Sequence, residues 1–173
     1  MDQKALFPFS YGVYIIAAQE ENNFSGCIIN TATQITAEEY PKLIVAINKE
    51  NYTHQLIHKA KKANISVLSQ NAPFELIGRF GFRNGREYNK LKNSEYKIGK
   101  NQMPIITEHA VSYIECDVLE EIDCNTHTIF ILEMKEGEKL IEEPAMTYEY
   151  YHTVLKGFTP KKASTYNEEK NKK

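Results

Sequence analysis

The sequence predicts a mainly β protein with the strand pattern of a barrel and two short helices. Strand-like runs rich in β-branched and aromatic residues recur along the chain and are separated by loops. The last run has Phe130 and Leu132 on one face and Ile129 and Ile131 on the other. Apolar residues on both faces indicate a closed or doubly covered sheet. The predicted strands span residues 12–18, 24–29, 43–47, 65–68, 110–119 and 126–134.

Two short helices are expected among these strands. Residues 53–63 have apolar side chains on one side, Asn51 or Thr53 as the N-cap and lysines in the last turn. Residues 71–80 begin with Asn71 as a cap, place Pro73 in the first turn and meet glycines near their end. Many strands with so few helices favour a barrel over alternating strands and helices.

Composition restricts the class of protein. At 173 residues, the chain is long enough for one domain with a substantial core. Hydrophobic residues make up 42% and charged residues 25%, with a formal net charge of −2. The basic excess of a general nucleic-acid-binding protein is therefore missing. The 11 Tyr and 8 Phe could serve the core, an interface or the walls of a site for a flat cofactor.

The sequence also predicts a cytoplasmic protein. Cys27, Cys116 and Cys124 include no CxxC pair, so a disulfide framework does not fit. No basic start precedes a long apolar stretch, and no apolar run approaches the ~18 residues of a membrane-spanning helix. From about residue 157 the chain is polar and lysine-rich. We therefore expect a domain over residues 1–156 and an extended, partly disordered tail over residues 157–173.

Three polar segments are candidates for a binding site. The first, NTATQIT at residues 30–36, follows an apolar strand with a series of short amide and hydroxyl side chains. Taken alone, it favours a polar strand edge or turn. The second includes Lys49, Asn51 and Thr53 at the start of the first helix, where backbone N–H groups and the helix dipole suit a phosphate. An ordinary capped helix explains the second segment equally well.

The third segment, residues 80–90, clusters cations around a turn. Arg83, Arg86 and Lys90 surround Asn84 and Gly85, and Asn-Gly is a strong turn signal. Two arginines beside a glycine suit bidentate contacts with phosphate, because glycine permits close approach of the backbone. A solvated charged loop is the alternative. The chain has neither a Walker A nor a GxGxxG motif, so a nucleotide site need not imply a P-loop or Rossmann unit.

Metal-binding and nucleophilic sites fit the sequence less well. His54 and His58 have the spacing of a helical metal pair, but no HExxH motif or third ligand accompanies them. A surface pair is favoured, and no metal is expected. Cys27 and Cys116 lie in apolar strands, where buried and unreactive thiols are usual. For His127, which begins a strand beside polar residues, a structural role in a turn is favoured.

In this order, the segments resemble the flavin reductase-like family of FMN-binding split-barrel proteins, and particularly its flavoredoxin-like branch. The resemblance covers about residues 9–152. The tail KGFTPKKASTY further resembles the linker that precedes a fused rubredoxin domain in some relatives, but no CxxC pairs follow it here. The matching pieces are GVYIIAA, NNFSGCIINTATQIT, LIVAINKENYTHQLI, SVLSQNAPFELIGRFGFRNGRE, MPIITEHAVSYIEC, NTHTIFILEM and PAMTYEYYH.

The resemblance implies a six-stranded antiparallel split β-barrel of Greek-key type with a few short helices, forming a homodimer with FMN near its interface. His127 would be the catalytic residue near the flavin face, and Tyr150 or Tyr151 would reach the partner's flavin. The residues implied to contact the flavin ring and ribityl chain are Asn30, Thr31, Ala32, Thr33 and Gln34. Those implied for the ribityl chain and phosphate are Asn48, Lys49, Asn51, Thr53, Arg83, Asn84, Gly85, Arg86 and Lys90.

The resemblance also implies an NAD(P)H-dependent FMN oxidoreductase of the flavin reductase type. Electrons would pass from NAD(P)H through bound FMN to a free flavin, a protein disulfide or a small electron-transfer protein. A rubredoxin, as a separate protein, is one such partner; neither a nucleic acid nor a membrane is expected as one. The alternatives are a non-catalytic FMN electron carrier reduced by a protein partner, and a ligand-binding split barrel without redox activity.

Overall fold

The computed structural model describes residues 1–161, 163–166 and 168, and these residues form two antiparallel sheets. The strands are β1 Tyr14–Glu20, β2 Asn23–Ile29, β3 Ala32–Gln34, β4 Lys42–Asn48, β5 Lys62–Leu68, β6 Tyr96–Ile98, β7 Pro104–Ile106, β8 Ala110–Cys124 and β9 His127–Lys139. Seven of them lie in the order β2-β1-β5-β8-β9-β4-β3, with every neighbouring pair antiparallel. Strands β6 and β7 pair with each other in a second sheet.

The predicted mainly β fold is confirmed, whereas the expected count of six strands is wrong. All six predicted runs form strands, namely β1, β2, β4, β5, β8 and β9. The main sheet gains a seventh strand from the polar NTATQIT segment, because Ala32 pairs opposite Val45 and Gln34 opposite Leu43. Polar side chains do not prevent this pairing, since the ladder uses backbone groups.

The described residues contain α-helices α1 Tyr52–Ala60, α2 Phe74–Gly81 and α3 Tyr148–Thr153, and a 3₁₀ turn at Gln3–Leu6. None of these helices is long and apolar enough to cross a membrane.

The caps explain where each helix begins. Asn51 is the N-cap of α1, and its side-chain oxygen accepts a hydrogen bond from the backbone N–H of Thr53 at 3.1 Å. Pro73 is the N-cap of α2, so the expected cap at Asn71 is wrong. Helix α3 was not predicted, because only six residues follow its cap, Thr147.

Apolar side chains form one cluster on each side of the first strand. Ile16 of β1 belongs to a cluster with Ile57 of α1 and Phe130 of β9. Its neighbour Ile15 points the other way and belongs to a cluster with Leu76 of α2 and residues of α3. The sheet is therefore covered on both sides over β1, as apolar residues on alternate faces of a strand require.

The two edge strands of the main sheet are close neighbours in sequence. Strand β2 lies at one end of the strand order and β3 at the other, yet only Asn30 and Thr31 separate them along the chain. Three Cα–Cα steps span at most about 11 Å. The sheet must therefore curl enough to bring its two edges together at these residues.

Candidate functional site

A cleft opens where the two apolar clusters meet, beside the link between β2 and β3. It encloses about 720 Å³ of space outside protein atoms, including solvent at its mouth. Most of its wall is apolar and includes Val13, Ile29, Ile47, Ile77 and Phe82.

Amide side chains from several elements line the cleft. Asn30 follows β2, Asn48 ends β4 and Asn51 caps α1. His127 begins β9 directly opposite Asn48, and it also lines the cleft. The hydroxyl of Thr126 lies 2.9 Å from His127 Nδ1. The site thus combines apolar walls with a group of short polar side chains.

Residues 82–90, which we name the arginine loop, pack against the start of α1, so the second and third polar segments meet. Gly85 approaches closely, because a Cβ added there would lie 2.2 Å from Ser25 Oγ and 3.3 Å from Tyr52 Cδ1. The guanidinium carbon of Arg86 lies 4.7 Å from the centroid of the Tyr52 ring. Cationic side chains and a helix N-terminus therefore adjoin the cleft at Asn51, as an anion-binding site needs.

The NTATQIT segment reaches the cleft at its beginning rather than along its length. Asn30 lines the cleft, whereas Ala32 packs against the core and Thr33 is exposed. The side chain of Gln34 donates to the backbone oxygen of Thr36 at 2.7 Å. Asn30 and its neighbour Thr31 are thus the members of this segment best placed to meet a ligand.

Other predicted contacts engage neighbouring protein groups. Lys49 forms an ion pair with Asp123, and the guanidinium of Arg83 lies 4.6 Å from the ring centroid of Tyr88. The buried hydroxyl of Thr53 donates to Ser25 Oγ at 3.1 Å.

The turn geometry of the loop depends on Asn84. Its side-chain oxygen accepts from the backbone N–H of Arg86 at 3.1 Å. Asn84 therefore shapes the turn that presents the arginines.

Lys90 is buried in the wall of the site rather than exposed to a ligand. Its ammonium donates to the backbone oxygens of Gly26 at 2.8 Å and Phe80 at 3.1 Å. The residues that follow those two, Cys27 and Gly81, line the cleft. Burial lowers the pKa of Lys90. These contacts give Lys90 a structural role, holding two backbone segments of the wall together, which differs from the phosphate contact implied by the resemblance.

Two of the three cysteines are buried, and the two histidines of α1 contact neighbouring protein groups. Cys27 and Cys116 are buried as predicted, and burial raises the pKa of the Cys27 thiol. Burial also raises the pKa of the Cys116 thiol, to about 12. His54 Nε2 lies 2.8 Å from the Thr128 hydroxyl, and burial lowers its pKa. His58 Nδ1 lies 2.6 Å from a carboxylate oxygen of Glu121. Within the described residues, no group of three or more His, Cys, Asp or Glu side chains could hold a metal ion.

The C-terminal segment closes one side of the cleft, which the sequence did not indicate. Tyr148 and Tyr151 of α3 line the cleft, as do Phe158, Pro160 and Ser164 beyond it. Tyr151, expected to reach a partner's flavin, lies in the cleft of its own chain. The available signal was the presence of Phe158 and Pro160 within a polar tail.

The apolar walls of the cleft suit a flat ring, and the amide side chains suit its polar edges. The N-terminus of α1 and the adjoining arginine loop suit an anionic chain. Flavin nucleotides combine these features. The fold and the cleft therefore define a mainly β flavin-binding protein.

Comparison with known proteins identifies the family. Residues 6–158 match the flavin reductase like domain, and the chain belongs to this family. It is 41% identical over 170 residues to a ferric-chelate reductase (NAD(P)H) of Archaeoglobus fulgidus, covering 98% of this chain and 100% of the relative. It is 41% identical over 166 residues to a high molecular weight rubredoxin of Moorella thermoacetica, covering 96% of this chain and 72% of the relative. The fold is similar to that of an NADH:FAD oxidoreductase of Streptomyces globisporus, with a TM-score of 0.75, 18% identity and coverage of 84% and 85%.

Proposed function

We propose that the chain binds FMN in this cleft and acts as an NAD(P)H-dependent flavin oxidoreductase. The observation that carries the proposal is the convergence of apolar walls, amide side chains and His127 beside the N-terminus of α1. Membership of the flavin reductase-like family supports it. The relative named as an NAD(P)H ferric-chelate reductase supports a nicotinamide as the electron donor.

The residues present fit FMN. Ile29, Ile47 and Phe82 provide an apolar surface for the ring, and Asn30 and Asn48 offer hydrogen bonds to its polar edge or to the ribityl hydroxyls. The phosphate would lie near the N-terminus of α1, within reach of Arg86. When bound, the flavin supplies the electron chemistry, exchanging two electrons with a nicotinamide and one or two with an acceptor.

The role of the protein is to bind, orient and shield. Asn48 accepts a hydrogen bond from the backbone N–H of Glu50 at 2.9 Å, which directs its NH₂ group to act as a donor. When the hydroxyl of Thr126 donates to Nδ1 of His127, the ring proton resides on Nε2, and that atom can donate to a ligand. Tyr148 and Tyr151 exclude water from the inner wall.

A titration followed by an anaerobic reduction tests the proposal. Adding the purified protein to FMN, FAD and riboflavin should quench flavin fluorescence, with FMN bound most tightly because of its terminal phosphate. The FMN complex, mixed without oxygen with NADH or NADPH, should then lose its visible flavin absorbance. Failure to bind any flavin would refute the proposed cofactor, and binding without reduction by either nucleotide would refute the proposed donor.

The acceptor is identified by re-oxidation of the reduced protein. We propose an iron acceptor, either a ferric chelate or a rubredoxin-type protein, because relatives carry both names. Stopped-flow mixing with a ferric chelate, a rubredoxin, free FMN or a protein disulfide should show fastest re-oxidation by one of the iron acceptors. Faster re-oxidation by free flavin or the disulfide would contradict this choice.

An FMN electron carrier reduced by a protein partner is the second candidate. It is favoured by the C-terminal segment, since Phe158 and Pro160 occupy one side of the cleft and narrow the access of a nicotinamide ring. Rapid reduction of the FMN complex by NADH or NADPH would exclude this candidate.

We further propose that the curled sheet is a split barrel, that the chain forms a homodimer and that it is cytoplasmic. The two-residue link between edge strands supports the barrel. The free cysteines support a reducing compartment. Light scattering after gel filtration, with and without FMN, would detect the dimer. The domain boundary near residue 156 can be tested by deleting the residues beyond it and measuring thermal stability.

A further inference from the structure

We propose that residues 157–161 and 163–166, which we name the C-terminal strap, are an internal ligand that competes with the flavin for Asn30 and Thr31. This inference rests on the proposed function, because the competitor is the flavin. The strap has a tip, residues 163–166, which contacts the link between the edge strands. It also has a root, residues 157–159, which contacts α3.

The tip occupies both atoms of the Asn30 amide. Ser164 Oγ donates to Asn30 Oδ1 at 2.9 Å, and Asn30 Nδ2 donates to the hydroxyl of Thr165. The same Ser164 hydroxyl lies 3.0 Å from Thr31 Oγ1. Two strap hydroxyls thus hold the polar groups that best suit the ribityl chain or polar edge of the flavin.

The chemical match between strap and ligand is close. A ribityl chain presents a series of hydroxyl groups, each of which can donate one hydrogen bond and accept others, as Ser and Thr hydroxyls do. Ser164 also lines the cleft, together with Ala163. Asn30 Oδ1 also accepts from Thr31 Oγ1 at 3.3 Å, so both of its lone pairs are in use while Ser164 is bound. FMN that hydrogen-bonds to this oxygen, in the space that Ser164 and Ala163 line, therefore requires the tip to withdraw.

The root is held differently from the tip. The backbone N–H of Gly157 donates to the backbone oxygen of Tyr151 at 2.9 Å, and the Tyr151 hydroxyl donates to the backbone oxygen of Phe158 at 3.0 Å. The hydroxyl of Thr159 contacts the hydroxyl of Tyr148 and lies 3.1 Å from His152 Nε2.

Close packing reinforces this attachment, because a Cβ at Gly157 would lie 2.1 Å from Tyr151 Cζ. The root is therefore fixed to α3 by backbone and aromatic contacts, whereas the contacts described for the tip with Asn30 and Thr31 use side-chain hydroxyls. This difference predicts that the tip opens while the root stays in place.

The consequence is a cofactor-dependent switch between two arrangements. Without flavin, the closed strap covers apolar walls and satisfies Asn30. With flavin, the tip is displaced and exposed. Only molecules with an open strap accept the cofactor. The apparent dissociation constant for FMN is therefore the intrinsic one divided by the fraction of molecules that are open.

The test removes the tip hydroxyls with Ser164→Ala combined with Thr165→Val. We expect the double variant to bind FMN about three- to tenfold more tightly than the natural chain, since its closed state is less populated. Lys161→Gln is the matched control. Lys161 lies in the same strap and is exposed, so this change should leave FMN affinity unaltered. Far-UV circular dichroism should be the same for all three proteins.

Hydrogen exchange of the cofactor-free proteins provides a readout that does not depend on flavin. Amides of residues 163–166 should exchange faster in the double variant than in the natural chain and the control. Adding FMN to the natural chain should speed exchange at 163–166 while leaving 157–159 protected.

Two outcomes overturn the proposal while FMN still binds. One is equal or weaker FMN affinity in the double variant, which would make the strap a supporting wall of the site. The other is identical exchange at residues 163–166 in the cofactor-free natural chain and double variant, which would show that the tip contacts do not hold the strap. If none of the three proteins binds flavin, the proposed function is refuted, and the competition is refuted with it. That conclusion does not depend on how fast the amides of the cofactor-free proteins exchange.

Discussion

Replacing Gly85 with alanine tests whether the arginine loop and α1 form one site. The added Cβ would lie 2.2 Å from Ser25 Oγ, 3.1 Å from Ser25 Cβ and 3.3 Å from Tyr52 Cδ1. Rotation of the Ser25 hydroxyl relieves the first contact but leaves the other two. Gly85→Ala should therefore shift the loop away from Ser25 of β2 and, to a smaller extent, from Tyr52 of α1.

The expected magnitudes follow from these contacts. Overpacking of this kind costs about 1–3 kcal/mol. At roughly 2–4 °C per kcal/mol for a chain of this size, the melting temperature should fall by roughly 2–12 °C. Displacing Arg86 should remove a charged hydrogen bond to phosphate worth about 1.5–3 kcal/mol. Because each 1.4 kcal/mol is tenfold in affinity, FMN binding should weaken by about tenfold or more.

Thermal unfolding and FMN fluorescence titration measure the two effects, and Gly78→Ala is the matched control. Nothing lies within 4 Å of a Cβ added at Gly78, which is inside α2. The control should gain about 0.5–1 kcal/mol from better helix propensity and keep its FMN affinity. Natural-like stability and affinity in Gly85→Ala would refute the close packing of the loop. Lost stability with unchanged affinity would refute its role in the site.

Further substitutions test the phosphate contacts, the buried lysine and a buried histidine. The double variant Lys49→Ala, Arg86→Ala should bind FMN at least about tenfold more weakly. Its affinity for riboflavin, which lacks the phosphate, should not change. Equal loss of affinity for both flavins in fluorescence titrations would show that the phosphate lies elsewhere. Lys90→Met should cost about 1–3 kcal/mol in urea unfolding, because two buried carbonyls lose their donor. A large loss of FMN affinity without lost stability would instead support a phosphate contact for Lys90. Burial lowers the pKa of His54 in the folded chain, so the unfolded chain binds more protons, and stability should fall as the pH drops below about 6.5. His54→Gln should reduce this dependence in urea unfolding between pH 7 and 5, and equal slopes for both proteins would contradict the assignment.

Features set by local patterns could be predicted from the sequence. The six long strands have β-branched and aromatic residues over several positions, and α1 has both a capping side chain and an apolar side. Strand β3 could not be found in this way. Its polar side chains resemble those of a turn, and its pairing with β4 depends on backbone groups across a separate loop.

The sequence singled out the segments of the candidate site, but their contacts with one another depend on the fold. Gly85 and Arg86 lie against Ser25 and Tyr52 beside the α1 cap Asn51, and their roles toward a ligand stay predictions. Lys90 shares the cationic pattern of that loop, yet its long apolar stem lets it reach two buried carbonyls. Composition cannot distinguish that arrangement from a solvated lysine.

The strap shows a second limit of composition. A polar, lysine-rich tail usually remains disordered because it buries little apolar surface. Here its hydroxyl groups have partners at Asn30 and Thr31, more than 130 positions earlier in the chain. Such a long-range match leaves no periodic signal in the sequence.

The two-residue link between β2 and β3 couples cofactor binding to the shape of the sheet. A ligand that contacts Asn30 and Thr31, between β2 and β3, and also Asn48, at the end of β4, would stabilise the region where the two edges of the sheet meet. Its binding free energy would then add to the cost of unfolding, by about 2.7 kcal/mol at a free ligand concentration of one hundred times Kd. Loss of the cofactor would return Asn30 and Thr31 to the strap tip, so hydrogen exchange at this link and at residues 163–166 would report cofactor loss.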